Sequence, residues 1–193
     1  MDNRNKILER ALNLFYQKGY DAVGIQEICQ SAGVTKPTLY HYFGSKYGLL
    51  ETLLKEEYEI FIQKLTKAAQ YSQSIEHSLT TFATALIDFA NTNHEAYMLL
   101  MAMSYSAKEN EVYQAVKPYI TNIYNMAVNL FEQASDQLGN MNGRQEQFAI
   151  GFLGLVNHYI LFMGYRSVPG EETMVSEEKK YSLIHQFMHG IYS

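Results

Sequence analysis

The side chains best suited to chemistry lie close together in residues 35–46, a run rich in hydroxyl, aromatic and basic groups. Its lysines carry the positive charge that pairs with phosphate oxygens, and its hydroxyl groups donate to the same oxygens. A proline and a threonine methyl suit the methyl group of thymine, and a histidine suits a base or a phosphate. Because Leu39 and Phe43 are four residues apart, a helix here buries both and turns the polar side chains outward. The run therefore predicts a surface that fits a DNA duplex.

Two short helices separated by a glycine turn must position this run. Gly24 opens the first helix and Gly33 ends it, since glycine relieves the backbone at a tight turn. Thr35 is placed to cap the second helix, and Pro37 falls in the first turn, where backbone N–H groups have no partner within the helix. Such a pair matches the helix-turn-helix, whose second helix enters a major groove. Similar pairs also occur as packing units in proteins that never touch DNA, so the pattern alone leaves both interpretations open.

The rest of the chain has helical periodicity, and no segment alternates in the manner of a strand. We predict an all-α fold of about nine helices, with a three-helix head (1–47) and a larger helical body (48–193). The first six helices are expected at about residues 3–18, 24–33, 35–43, 46–69, from 74, and 93–105. The seventh is expected to end near Leu138 with a kink at Pro118, and the last two to span about 143–166 and 176–191. A turn at Asn140–Gly143 and a polar loop at Ser167–Val175 separate these last three helices.

Four motifs in the head form a specific set. They are Gly19-Tyr20, Ile25-Gln-Glu-Ile28, Ala32-Gly33-Val34 and the run Thr35-Lys-Pro-Thr-Leu-Tyr-His-Tyr-Phe-Gly-Ser-Lys46. Together they resemble the tetracycline-repressor (TetR) family, whose members are mostly dimeric repressors released from operators by small ligands. The resemblance covers about residues 5–55, and the remainder of the chain agrees with the family in length and number of helices.

The resemblance also implies which residues of the head contact DNA. By position these are Gln26, Thr35, Lys36, Pro37, Thr38, Tyr40, His41, Tyr42 and Lys46. We assign Tyr40, Tyr42 and Lys46 to phosphates, and Gln26, Lys36, Pro37, Thr38 and His41 to base edges, although Lys36 suits either role. Tyr42 also suits half-buried packing at the edge of the core. Many members have a phosphate-contacting threonine where this chain has Gly24, so that contact should be missing here.

Composition and charge place the chain among folded cytoplasmic proteins. Hydrophobic residues make up 47% and charged residues 18%. The single cysteine, Cys29, forms no disulfide within the chain, and residues 1–6 lead into no signal-peptide core. Net charge is −5, but residues 1–55 hold seven Lys and Arg against five Asp and Glu. The N-terminal quarter is therefore the only part that attracts phosphate electrostatically.

The body is rich in aromatic and methionine side chains, which suit a pocket for a small hydrophobic effector. The candidate pocket residues are Tyr97, Met98, Met101, Tyr105, Tyr124, Phe131, Phe152, His158, Tyr159 and Phe162. The alternative for each of them is that it simply fills the core. The resemblance is what favours a pocket among them.

The eighth predicted helix is apolar on nearly every side, so it must be covered on both sides. We expect one side to meet a second copy of the chain, with Gly151 and Gly154 permitting close approach and the ninth helix completing a four-helix contact. The candidate dimer residues are Phe148, Phe152, Leu155, Tyr159 and Phe187. A central helix of one monomeric core is the alternative. A membrane span is disfavoured by Asn157 and His158 in mid-run.

Motifs for catalysis, cofactors or metals are not evident in the sequence. There is no Gly-x-Ser-x-Gly elbow, P-loop or Gly-x-Gly-x-x-Gly run, so we predict neither an enzyme nor a cofactor. His185 and His189 have the spacing to bind one metal ion, but no third ligand lies nearby in sequence, and we predict no metal site. We predict that Cys29 is a small core residue and not a redox sensor.

These observations favour a repressor that leaves a palindromic DNA operator when a small hydrophobic ligand binds the body. In this hypothesis the ligand tilts the fourth helix and moves the two heads of a homodimer out of successive major grooves. Two alternatives stay open: an architectural DNA-binding protein of the same fold without a ligand, and a helical carrier of an apolar molecule. The effector, the operator, the regulated genes and the sign of regulation are not encoded in any motif.

Overall fold

The computed structural model describes residues 2–139, 141–166 and 175–190, and helices joined by short turns and loops make up this part of the chain. It contains nine α-helices and one short 3-10 helix. The α-helices are α1 (Asn3–Lys18), α2 (Ile25–Ala32), α3 (Lys36–Phe43), α4 (Lys46–Ala68), α5 (Ile75–Thr92), α6 (His94–Ser104), α7 (Glu111–Gln133), α8 (Gln145–Arg166) and α9 (Glu177–His189). The predicted all-α fold is confirmed.

Local capping residues define most of the helix ends. The side chains of Thr35, Ser74 and Ser176 accept hydrogen bonds from backbone N–H groups in the first turns of α3, α5 and α9. Gly33 ends α2 with φ at 67°, in the left-handed region that favours glycine. The starts of α2, α3, α5 and α9 and the ends of α2 and α3 lie within about two residues of the positions that the sequence predicts.

The seventh helix is shorter than predicted. It ends at Gln133, and a 3-10 helix, Ser135–Gln137, follows where the prediction continued the α-helix to Leu138. The hydroxyl of Ser135 donates to the carbonyl of Phe131 at 3.1 Å, the kind of local bond by which serine competes with regular helix geometry. Asn140 lies outside the described residues, as do residues 167–174 of the predicted polar loop and Ile191 at the predicted end of the ninth helix.

The chain divides into two compact units. The first comprises Met1–Ile60 and Glu95–Pro118, and the second comprises Phe61–His94 and Tyr119–Ser193. In the first unit, the three head helices pack through Ile7, Phe15 and Leu39, whose side chains are almost fully buried. Burial of large apolar side chains of this kind is worth roughly 1.5–3 kcal/mol each.

The second unit is held together by an aromatic cluster and a clamp between α5 and α9. Phe152 is fully buried, and its ring lies 5.5 Å from that of Phe187. The ammonium of Lys180 on α9 donates to the carboxylates of Asp88 on α5 and Glu177 on α9. Burial opposes the charge on this ammonium, but the two hydrogen bonds outweigh it and raise the pKa of Lys180.

Candidate nucleic-acid interface

The turn between α2 and α3 fixes the direction of α3. The backbone N–H of Gly33 donates to the carbonyls of Cys29 and Gln30, and the N–H of Val34 donates to the carbonyl of Cys29 at 3.0 Å. These bonds satisfy carbonyls at the end of α2 and aim the chain toward the next cap. Cys29 itself is buried, and burial raises the pKa of its thiol although Lys36 opposes the shift. The neutral, buried thiol fits a packing role.

The first turn of α3 is organised by two threonines. The Oγ1 of Thr35 accepts a hydrogen bond from the backbone N–H of Thr38 at 3.4 Å, and the two threonine hydroxyl oxygens lie 2.9 Å apart. Pro37 lies between them in the first turn, where its missing N–H costs nothing. The Thr38 hydroxyl is engaged with Thr35, and the partly buried Thr38 side chain also carries a methyl group that can contact a partner. The sequence did not predict this hydroxyl contact.

The side chains of α3 separate into a buried and an exposed face. Leu39 is fully buried and Phe43 nearly so, as predicted from their spacing. The exposed face carries Lys36, Pro37, Tyr40, His41 and Tyr42, and Gln26 of α2 is also exposed. Tyr40 and Tyr42 expose 48% and 42% of their surface, so both hydroxyl-bearing rings are accessible. The exposed face of α3 combines one cation with aromatic and polar groups.

Lys46 at the start of α4 is already engaged within the head. Its ammonium donates to the backbone carbonyl of Tyr20 at 2.5 Å and lies 4.0 Å from the centre of the Tyr20 ring. Burial lowers the pKa of Lys46, and the carboxylates of Asp21 and Glu111 oppose that shift. Lys46 therefore ties the start of α4 to the loop that joins α1 and α2.

Tyr20 extends this connection to the start of α7, within the same unit. Its hydroxyl donates to the Glu111 carboxylate at 2.8 Å. Burial, reinforced by this hydrogen bond, raises the pKa of Tyr20, so the hydroxyl stays protonated. The sequence could not predict this contact, because Tyr20 and Glu111 are 91 residues apart and belong to no common motif.

The turn between α3 and α4 depends on Gly48. A Cβ at this position would lie 2.2 Å from the carbonyl oxygen of Phe43, far inside van der Waals contact. The backbone N–H of Gly48 donates to the hydroxyl of Ser45 at 2.9 Å, so Ser45 caps the first turn of α4. The close approach holds the end of α3 against α4.

The residues predicted to line a pocket are distributed over both units. In the first unit Tyr97 is buried, Met98 and Met101 are partly buried, and Tyr105 exposes 74% of its surface. In the second unit Phe131 and Phe152 are buried, Tyr124 and Tyr159 are partly buried, and His158 and Phe162 are exposed. The rings of Phe131 and Phe152 lie 6.4 Å apart and pack against each other.

Helix α8 keeps a large apolar face exposed. Phe148, Ile150 and Phe162 are exposed, and only 22% of the most apolar stretch of this helix is buried. Among the described residues it is the one helix long and apolar enough to cross a membrane, which is weak evidence for a span. Of the other predicted dimer residues, Leu155, Tyr159 and Phe187 are partly buried, whereas Phe152 is enclosed within its own unit.

The fold and the exposed face of α3 define a helix-turn-helix protein with a helical body. Residues 7–53 match the family described as bacterial regulatory proteins, tetR family. The N-terminal head of the chain is therefore similar to this family.

Curated relatives match about half of the chain or less. The transcriptional activator FasR of Mycolicibacterium smegmatis is 29% identical over 104 residues, which cover 54% of this chain and 48% of FasR. The probable regulator YttP of Bacillus subtilis is 31% identical over 97 residues, which cover 49% of this chain and 47% of YttP. The repressor BdcR of Escherichia coli is 49% identical over 43 residues, which cover 22% of each chain. The matched region thus spans about half the length of the first two relatives.

Solved structures match the whole fold. The regulator MbdR of Azoarcus sp. CIB has a TM-score of 0.83 at 20% identity, with 100% of both chains covered. A putative fatty acid metabolism regulator of Clostridium perfringens has a TM-score of 0.81 at 19% identity, covering 97% of this chain and 99% of that one. FadR of Bacillus subtilis in complex with stearoyl-CoA has a TM-score of 0.75 at 16% identity, with the same two coverages. These similarities support the fold across the full chain.

Proposed function

We propose that this chain is a transcriptional regulator that binds a specific palindromic DNA operator as a homodimer. The observation that carries the proposal is the face of α3, where Lys36, Tyr40 and His41 are exposed while Leu39 and Phe43 are buried. A helix of this kind, capped and preceded by a tight turn, presents its N-terminal residues to base edges in a major groove.

The contacts of the head divide by chemistry. Tyr40 and Tyr42 reach phosphates through their hydroxyl groups, which position the helix without reading sequence. Lys36 suits a guanine or a phosphate, and the methyl of Thr38 suits a thymine methyl. Gln26, Pro37 and His41 complete the base-reading set. Lys46 meets a phosphate as well, provided that its ammonium exchanges the Tyr20 carbonyl for the DNA backbone.

The homodimer forms through α8 and α9 in this proposal. Phe148, Ile150 and Phe162 are exposed apolar side chains on one helix, and a Cβ at Gly151 or Gly154 would meet no atom within 4 Å. A self-complementary contact with two-fold symmetry covers such a face and pairs the two heads. Covering by a second copy also accounts for the apolar length of α8 without a membrane, in keeping with a cytoplasmic regulator.

The effector in this proposal is a small, largely apolar molecule bound by the body, residues 48–193. FadR, which shares the fold, was solved with stearoyl-CoA, and another neighbour is described as a putative fatty acid metabolism regulator. Fatty acyl-CoA thioesters are therefore the first class to test. Release from the operator on binding would make the protein a repressor like BdcR, whereas FasR is described as an activator.

Two other functions compete with this proposal. An architectural DNA-binding protein of the same fold would need the exposed face of α3 but no effector. A helical carrier of an apolar molecule would need the body but not the cation and the two exposed tyrosines of α3. The exposed face of α3 favours both DNA-binding functions over the carrier.

Selection of bound sequences from random DNA duplexes tests the proposal. We expect an enriched palindrome whose half-sites lie one helical turn, about 34–36 Å, or a multiple of it apart. Specific binding should exceed binding to a scrambled duplex by at least about 10³-fold at physiological salt. Equal affinity for both duplexes would contradict the proposal, and operator binding that no acyl-CoA alters would favour the architectural alternative.

A further inference from the structure

A groove of about 400 Å³ lies in the second unit, between the end of α4 with the residues that follow it and the C-terminal third of α7. Its volume is within the range of small-molecule sites, about 300–1,000 Å³. The lining residues are Thr66, Ala69, Gln70, Tyr71, Met126, Asn129 and Gln133. None of them belongs to the residues that the sequence analysis assigned to a pocket, to the dimer or to DNA.

The groove combines apolar surface with uncharged polar groups. None of the seven lining residues is acidic or basic, and three of them have side-chain amides. In the described part of the chain, the amides of Gln70, Asn129 and Gln133 take part in no hydrogen bond. Each such amide offers one acceptor and two donors to a ligand.

Tyr71 supplies a fixed aromatic surface beside these amides. Its hydroxyl donates to the Oε1 of Gln137 at 2.8 Å, and the Nε2 of Gln137 donates to the backbone carbonyl of Gln73 at 3.0 Å. Across the groove the sulfur of Met126 lies 3.9 Å from the Thr66 hydroxyl. An aromatic ring and a thioether both pack well against a flat π-system.

We propose that this groove binds adenine, as the base of a nucleoside, a nucleotide or coenzyme A. Side-chain amides pair with adenine through its N6 and N7 atoms, whereas guanine is read by Arg or Lys and cytosine by Asp or Glu. The lining has amides and lacks all four of those residue types. The site stands independently of DNA binding by the head. It is also separate from the effector pocket unless coenzyme A supplies the base, in which case the groove would hold the adenine end of an acyl-CoA effector.

Saturation-transfer NMR of the full-length protein with adenosine tests this assignment. We expect saturation of the H2 and H8 protons of adenine, no binding of uridine at the same concentration, and displacement of adenosine by adenosine monophosphate or coenzyme A. The stronger of these two competitors identifies the source of the base. Equal binding of uridine, saturation confined to the ribose, or displacement by pantetheine, which lacks the base, would each overturn the assignment.

A double variant, Asn129→Ala with Gln133→Ala, removes two of the amides from the exposed surface of α7. We expect at least a tenfold loss of adenosine affinity, with unchanged operator binding and unchanged circular dichroism. Asn122→Ala is the matched control, because it removes an exposed amide from the same helix about two turns away from Asn129. Wild-type affinity in the double variant would show that the amides do not read the base.

Discussion

At the scale of single residues, Lys46 illustrates a conflict between folding and binding. Its ammonium donates to the Tyr20 carbonyl and lies against the Tyr20 ring. A phosphate contact would replace a charge-to-carbonyl hydrogen bond with a charge-to-charge one, which is stronger and releases a counterion from the DNA. The exchange is therefore favourable if the side chain can swing without loosening the loop between α1 and α2.

The first prediction concerns this contact. Lys46→Ala should weaken binding to operator and to random DNA about equally and reduce the slope of log K against log salt by about one. Lys55→Ala is the control, because Lys55 is an exposed lysine farther along α4. Thr38→Ala should instead weaken operator binding selectively, with little change in slope. The loss should be smaller than the roughly 1–3 kcal/mol of a bidentate base contact, because Thr38 contributes a methyl contact. The measurement is a salt titration of both duplexes, and an altered base preference in Lys46→Ala would contradict our division of contacts.

The second prediction concerns Gly48, where glycine is required by space rather than by φ. Gly→Ala in a helix usually stabilises by about 0.5–1 kcal/mol. Here the added Cβ would overlap the Phe43 carbonyl, so α3 and α4 must separate. We expect Gly48→Ala to lower the free energy of unfolding by about 1–3 kcal/mol and to weaken operator binding, as measured by urea denaturation and DNA titration. A more stable variant would show that the turn adjusts freely.

The sequence predicted those residues of the head whose surroundings are local. The positions of Thr35, Leu39 and Phe43 follow from capping and from a four-residue spacing, and the structure buries or caps each one as predicted. The partners of Tyr20 could not be predicted, because a tyrosine hydroxyl accepts many partners and Glu111 is distant in sequence. Tertiary contacts of single polar side chains leave no periodic signal.

At the scale of elements, helix starts were predictable where a hydroxyl residue precedes an apolar stripe. Ser74 and Ser176 are examples, since each caps the helix that follows it. The end of α7 was not predictable, because its apolar periodicity continues past Gln133 while the Ser135 hydroxyl bonds back to the chain. Periodicity records which face is buried, and it does not record where a helix tightens into a 3-10 turn.

The third prediction tests α8 as the dimer contact. Ile150→Glu should yield monomers near 22 kDa, because a carboxylate at a dry apolar contact is left unpaired. Ile150 exposes 56% of its surface, so the substitution should leave the subunit folded. Ile60→Glu is the matched control, since Ile60 is a similarly exposed isoleucine on α4. Analytical ultracentrifugation at micromolar concentration measures the mass, and a wild-type monomer or a dimeric Ile150→Glu would exclude this interface.

At the scale of the whole molecule, composition and periodicity predicted the fold class. They did not predict which residues of the body line a pocket and which fill the core. Aromatic and methionine side chains both line pockets and fill cores, and Phe131 and Phe152 are found packed together in a core. The hydrophobic periodicity of the sequence also did not predict that Tyr105 and Phe162 are exposed. What the body binds therefore has to be argued from energetics that couple it to the head.

The last prediction follows from that coupling. If an acyl-CoA releases the protein from its operator, it binds the DNA-free conformation more tightly, and by linkage the operator must weaken acyl-CoA binding by the same factor. A coupling of about 1–3 kcal/mol corresponds to a factor of about 5–150. Acyl-CoA at 100 times its dissociation constant should also stabilise the free protein by about 2.7 kcal/mol, which raises the melting temperature.

The decisive experiment measures stearoyl-CoA affinity by calorimetry with and without saturating operator duplex, using a scrambled duplex as control. If stearoyl-CoA raises the melting temperature but binds equally well in both cases, the molecule has a ligand that does not regulate it. If neither melting nor DNA affinity changes with any chain length, the architectural alternative accounts for the protein better than the repressor.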